Sequence, residues 1–368
     1  MIASGRERTM EFGLSEEQDL LQETVRQFVS EQCPPTQLHA IFDAGEGHAP
    51  ALWQGVAELG LCGLMLPEEY GGADLEVLDL ALVCEELAYG GLPGPFMMHS
   101  LAAHAIARAG DSDQRGRHLP ALADGSAIAT LALAEGEGAW RPEFWSTRSE
   151  GGVLHGTKRF VPHADLSDWI VVGLSDGRLA LVEKGAAGLT VVPEEGIDRT
   201  RPIGRLEFEG TPCEVLEGDG AVLERIGDVG LTLLAADAFG SASRLIDLAV
   251  EYTKTREQFG RKVAEFQAVK HQLARLALEI EPTRALFWYA AHAVDHRPDE
   301  GPRSAALAKS HISDRAIQAG REVVELHGGI GFTWECDVHL WLKRIMFDRA
   351  FLGTPESLRE RCAELEGW

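Results

Sequence analysis

From about Ser15 to Ala123 the apolar residues recur at helical spacing. SEEQDLLQETVRQFVSEQ opens on Ser15, a good N-cap, and Gln18 completes a capping box. Leu20, Leu21, Val25, Phe28 and Val29 then share one helical face. APALWQGVAELG predicts a second helix closed by Gly60, and LDLALVCEELAYG a longer, largely buried one. From about Ala127 to Glu217 the pattern shortens. AIATLAL, GVLHGTKRFV, DWIVVGL, GRLALVEK, GLTVVPEE and RLEFEG are short apolar runs punctuated by Gly, Pro and Asp, which predicts antiparallel strands. From about Ala221 the helical period returns. One long helix is expected to run through IGDVGLTLLAADAFGSASRLIDLAVEYTKTREQFG to Gly260. A second covers AEFQAVKHQLARLALEIEPTRALFWYAAHAVD and a third SAALAKSHISDRAIQAGREVVELH. DVHLWLKRIMFDRAF follows as a shorter one. The fold class is therefore α+β. A helical domain is expected over 1–122, an antiparallel β-domain over 123–222 and a helical bundle over 223–368.

Composition narrows the partners. The chain has 368 residues, 45% hydrophobic and 25% charged, with a net charge of −24. Such a balance disfavours nucleic acid, which needs a basic patch, and an anionic ligand would need a local cationic site. No apolar run reaches the roughly 18 residues of a membrane span. MIASGRERTMEFG lacks the apolar core of a signal peptide, so the expected location is cytoplasmic. Six scattered cysteines without a CxxC pair read as reduced thiols. The histidines show no metal-ligand spacing, so no metal is expected. No serine-hydrolase elbow or P-loop is present. GEGAW (136–140) reads as a turn, with a phosphate-facing loop as the alternative.

Two C-terminal stretches carry the candidate chemistry. In TREQFGRKVAEFQAVKHQLA, Arg256 sits at a helix end and Gly260 permits a left-handed stop. Arg256 is either a solvated cap or a guanidinium aimed at phosphate, with Phe259 packing on a flat ring. In ELHGGIGFTWECDVHLWLKR, Gly328, Gly329 and Gly331 interrupt a helical pattern, where each costs about 1 kcal/mol relative to Ala. They either end the helix or bare backbone N–H groups to a ligand.

Together with LPEEYGGAD, EELAYG and GTKRFVPHADLSDWIVV, these two stretches resemble the acyl-CoA dehydrogenase family over nearly the whole chain, in order. The resemblance implies an N-terminal helical domain, a middle β-domain and a C-terminal four-helix bundle. It also implies tetramers holding FAD at subunit contacts, acyl-CoA thioesters as substrates, and electron-transfer flavoprotein or a similar acceptor. By resemblance, Arg256, Phe259, Gly328 and Gly329 serve the adenine–pyrophosphate half of FAD, with His327 and Leu326 as second choices. Phe160 stands where many members have a flavin-lining Trp.

The departures from the family concern chemistry. The two places where members carry the catalytic carboxylate are Leu352 and Gly230 here. A common Gln before the glycines is Glu325, a hydroxyl residue beside the flavin is Pro162, and Pro355-Glu356 follows FLGT. One acid remains on the same helix face. Asp237 lies seven residues after Gly230, about 10.5 Å along the axis. It is either the base or a carboxylate paired with an Arg such as Arg244. Some bacterial members acting on steroid side-chain thioesters are α₂β₂ pairs in which one subunit lacks the base, and the short, depleted chain resembles that kind. Both homo- and hetero-tetramers remain open. Surplus apolar positions on 226–257 and on the helix from Ala264 to Ile280 predict an oligomer.

Overall fold

The computed structural model describes residues 13–136 and 138–368. The N-terminal stretch read above as lacking a leader core, and Glu137 of GEGAW, fall outside those residues apart from Gly13. Six helices come first: α1 (Glu16–Gln32), α2 (Pro35–Ala44), α3 (Pro50–Glu58), α4 (Val77–Tyr89), α5 (Phe96–Ala109) and α6 (Ser112–Ala123). The capping box of α1 is present, with Gln18 N–H donating to Ser15 Oγ at 3.2 Å and Ser15 N–H to Gln18 Oε1 at 3.1 Å. Val25 and Val29 are buried as expected, but Leu20 is 63% exposed and leaves the predicted face.

Eight short strands follow: β1 (Ala129–Ala132), β2 (Arg148–Glu150), β3 (Val153–Pro162), β4 (Trp169–Gly173), β5 (Leu179–Glu183), β6 (Leu189–Glu194), β7 (Ile203–Pro212) and β8 (Glu214–Val215). They form two four-stranded sheets, ordered β1-β4-β5-β8 and β2-β3-β7-β6. Leu154, Ile170, Val182 and Phe208 share the small apolar core of this region. One pairing departs from the antiparallel expectation. β1 and β4 run parallel, Ala129 opposite Trp169. The chain leaves the first sheet after β1 and builds β2 and β3 in the other sheet. It therefore re-enters in the same sense, a crossover that no hairpin could make.

The rest comprises α7 (Gly220–Thr255), a small hairpin of β9 (Glu257–Gln258) and β10 (Arg261–Lys262), α8 (Gln267–Ile280), α9 (Arg284–His296), α10 (Gly301–His327), α11 (Val338–Ala350) and α12 (Pro355–Leu365). The single helix expected across 264–295 is broken by a 3₁₀ turn, Glu281–Thr283, at Pro282, which has no N–H to continue the ladder. α7 is long and apolar enough to cross a bilayer by composition, yet 89% of its most apolar 18-residue stretch is buried within the protein. Its apolar surplus is used inside the chain, against α4, α9, α10 and α11. A Cβ on Gly240 would lie 2.1 Å from the Glu85 carbonyl oxygen of α4. The small residues of α7 thus serve close helix crossing. On α8 the surplus does stay outside, where Leu278 is 74% exposed.

Candidate cofactor and acyl site

The two positions where a family carboxylate would stand meet in space. Gly230 lies on α7 and Leu352 in the turn after α11. A Cβ built on Gly230 would lie 2.6 Å from Leu352 Cδ1 and 3.5 Å from Leu101 Cδ1 of α5. Hydrocarbon therefore fills the spot from both sides. Leu352 has φ +56°, a conformation that bulky side chains rarely take. A lysine supports that turn. Fully buried Lys309 of α10 donates to the Arg349 carbonyl at 2.9 Å and to the Gly353 carbonyl. Burial lowers its pKa to about 7, against the favourable charge of Asp348. The sequence does carry a trace of it: Lys309 falls among Ala305, Ala306, Ala308 and Ile312, all buried. A cation within an apolar helix face signals a buried partner.

Asp237 is only 2% exposed and belongs to a different structure, a sealed ionic cluster. Arg344 of α11 grips it as a fork, Nε to Oδ1 and Nη2 to Oδ2, both at 2.8 Å. Arg201, from the loop before β7, also donates to Oδ2. It reaches Asp348 Oδ1 at 2.5 Å as well. Arg344 further donates to the Leu92 carbonyl at 2.8 Å. Burial would raise the Asp237 pKa, but Arg201 and Arg344 outweigh it and hold the carboxyl at about 2. Burial and the neighbouring Asp237 charge push Asp348 well above the usual carboxylate range. A carboxylate whose two oxygens are both committed to guanidinium groups is a poor proton acceptor at neutral pH. The candidacy of Asp237 as base is thereby corrected. Its partners are also not Arg244, which instead pairs with Glu251 at 3.3 Å.

The adenine-side candidates gather at the far end of α7 and α10. The helix stops earlier than expected, at Thr255. Thr255 Oγ1 donates back to the Glu251 and Tyr252 carbonyls, a side-chain competition that weakens the last turn. Residues 256–263 then form a hairpin whose two-residue loop, Phe259-Gly260, has φ +54° and +76°. Two positive φ values define a type I′ turn, which suits Gly but strains Phe. Phe259 is 93% exposed at this tip. Arg256 is exposed and makes no ion pair among the described residues. Phe259→Gly is expected to relieve about 1 kcal/mol of strain while weakening flavin retention. Thermal unfolding and flavin titration of the same variant check both directions.

The three glycines divide in role. Gly331 is needed for packing, because a Cβ there would lie 2.5 Å from the Val324 carbonyl oxygen. Gly328 has φ +64°, and a Cβ on Gly328 or Gly329 would meet nothing within 4 Å. Those two leave bare, open backbone. His327 is buried, with Nδ1 2.8 Å from the Val323 carbonyl and its ring stacked on Tyr252 at 4.5 Å. Its ring joins α10 to α7.

At the flavin-lining positions Phe160 is half-buried and Pro162 is buried. Phe160 has φ +54° and lies under the Arg159 guanidinium at 4.7 Å, beside a bulge in the β3–β7 pairing. Pro162 has no N–H, and its carbonyl accepts from Thr130 Oγ1 at 2.6 Å. Trp140 packs edge-on against Phe351 at 4.7 Å, and Arg141 pairs with Glu364 of α12 at 2.9 Å. The residues present therefore fit the adenine–pyrophosphate half of FAD and offer the ring half little.

Comparison with known proteins gives a consistent picture. The N-terminal domain model of acyl-CoA dehydrogenases matches residues 15–126 and the C-terminal domain model residues 223–365. Acyl-CoA dehydrogenase IpdE2 of Mycobacterium tuberculosis is 34% identical, over 96% of this chain and 98% of that protein. Its namesake in Mycolicibacterium smegmatis is 33% identical, over 96% and 100%. Among solved structures, a variant of the Tcur3481–Tcur3483 steroid ACAD is 33% identical with a TM-score of 0.88, over 96% of this chain and 98% of its own. Butyryl-CoA dehydrogenase of Megasphaera elsdenii shares the fold at 24% identity, with a TM-score of 0.89 over 98% and 100%.

Proposed function

Because the chain belongs to the acyl-CoA dehydrogenase family of FAD-dependent oxidoreductases, we propose that it is a base-free subunit, paired with a family paralogue that carries the catalytic carboxylate. The contact of Leu352 with Gly230 is the observation that supports this reading most directly. Abstraction of an α-proton needs an acceptor within hydrogen-bond reach. Here both family positions hold hydrocarbon, and the nearby acid on α7 is bound by two arginines. FAD, when bound, supplies the hydride acceptor. This chain's part is to bind and orient. Arg256 offers a fork to the pyrophosphate, and Gly328–Gly329 offer N–H groups without a side chain in the way. The substrate class we propose is a bulky, steroid-type acyl-CoA thioester, after the similarity to the steroid ACAD. We place electron-transfer flavoprotein or a similar acceptor downstream.

The test is purification with and without the paralogue. Alone, the chain is expected to hold little flavin and to give no acyl-CoA turnover. The mixed complex is expected to turn over at a rate set by the paralogue's base. A flavin-loaded preparation of this chain alone, with robust turnover that disappears in Asp237→Asn while the fold persists, would overturn the reading.

A further inference from the structure

The glycine break after α10 is bare, but both of its flanks are anchored. Upstream, the His327 ring stacks on Tyr252 of α7. Downstream, residues 334–343 lay an aromatic and ionic clasp on α2. His39, Phe42 and Asp43 share one face of that short helix, at positions i, i+3 and i+4. His39 Nε2 lies 2.6 Å from Asp337 Oδ1, and Trp334 Nε1 donates to Asp43 Oδ1 at 2.8 Å. The His339 ring stacks on Trp334 at 4.6 Å and meets fully buried Phe42 edge-on at 5.5 Å. Lys343, one turn further along α11, holds its ammonium 4.2 Å from the Trp334 ring centre and 4.7 Å from that of Phe42. The cation is attracted to both ring faces. These contacts join residues almost 300 positions apart in the chain, 298 for His39 with Asp337.

The turn between the anchors has little hold of its own. Within Gly328–Phe332 only Gly331 is buried, while Ile330 and Phe332 are 45% and 82% exposed. Glycine backbone also loses more conformational freedom on ordering than any other residue. A ligand that had to order this turn would lose that much affinity; a turn already ordered binds without the loss. We infer that the clasp of Trp334, His339 and Lys343 on α2 is a positioning device for the cofactor, which holds the Gly328–Gly329 backbone in the direction a pyrophosphate needs. This role rests on the reading of the glycine break as a contact for FAD. Trp334 is a positioning residue: it acts through the backbone a few residues upstream, and so ties cofactor retention to α2.

Amide hydrogen exchange of the full-length chain reads the device directly. Trp334→Leu removes the stack and the Asp43 bond but keeps an apolar side chain. It is expected to speed exchange at residues 328–333 by about tenfold or more and to leave the body of α10 as in wild type. Should Trp334→Leu fail to fold, Lys343→Met loosens the same rings and carries the same test. Flavin titration of the complex with the paralogue reads the consequence. Trp334→Leu should weaken retention by about tenfold, and Trp334→Phe, which keeps a ring there, should recover most of it. Gly329→Pro removes one N–H at a position where a Cβ meets nothing within 4 Å. If Trp334 acts through that backbone, the double variant retains flavin nearly as well as Gly329→Pro alone. A clasp that only fastens α11 to α2 would give losses that multiply. Multiplying losses, or exchange at 328–333 within about twofold of wild type, would overturn the positioning role and leave the subunit reading standing. If Gly329→Pro and Arg256→Ala both retain flavin as wild type does, the break is no cofactor contact and both roles fall.

Discussion

Replacing Asp237 by Asn is expected to destabilise the fold by about 3–5 kcal/mol, because it leaves buried guanidinium charge uncompensated. That is a large share of a typical stability of about 5–15 kcal/mol. Arg201 and Arg344 are 6% and 5% exposed, so water cannot replace the lost carboxylate. Replacing Asp348 by Asn should be far milder. Burial and the neighbouring Asp237 charge disfavour its ionised form, so an amide of the same shape loses less there than at Asp237. The two acids also differ in pH response. The Asp237 pKa is depressed, so its stabilisation is full above the unfolded value near 3.8 and is lost as pH falls through about 2. The Asp348 pKa is raised, so its stabilisation is full below the unfolded value and is lost as pH rises through the raised one. Thermal unfolding across pH should show Asp348→Asn flattening the loss of stability that sets in as pH rises above the unfolded value near 3.8. An Asp237→Asn variant as stable as wild type would refute the cluster's role.

Arg256→Ala is expected to weaken flavin retention of the mixed complex by roughly ten- to a hundredfold. A charge-assisted contact is worth about 1.5–3 kcal/mol, and 1.4 kcal/mol is a factor of ten. The fold should not suffer, since the contact that closes α7 is the Arg256 backbone N–H to the Tyr252 carbonyl at 2.9 Å. Arg256→Lys keeps the charge and loses the fork, so it should fall between the two. Flavin titration at two salt concentrations checks this. Equal flavin affinity in wild type and Arg256→Ala would remove Arg256 from the cofactor site.

The sequence pattern made the order of helices, strands and helices legible because most elements bury one face. α5 carries no such signal, as nearly every residue in FMMHSLAAHAIARA is buried and no polar stripe marks a period. α2, α6 and α12 are short and begin at or just after a proline or an Asx cap, where local signals read equally as loop. The candidate site was half legible. Glycines and a terminal Arg announce themselves locally. The partners of Asp237 do not, since Arg201 lies 36 residues away and Arg344 lies 107. Only the meeting of the middle region with the bundle brings them together. The parallel β1–β4 pair was hidden for the same reason: strand texture carries no sign of direction.

The contact between Leu352 and Gly230 also has an evolutionary consequence. Placing Glu at 230 drives its Cβ to within 2.6 Å of Leu352 Cδ1, an overpacking of about 1–3 kcal/mol. Placing Glu at 352 sets an acid in a half-buried turn against the bare face of α7 at Gly230. Shrinking Leu352 first opens a void that costs about 2–5 kcal/mol. Every single-step route back to a carboxylate therefore passes through a less stable intermediate. The two sites are epistatic, and on the base-free reading proposed above the change behaves as a ratchet: drift can cross it in one direction far more easily than in the other.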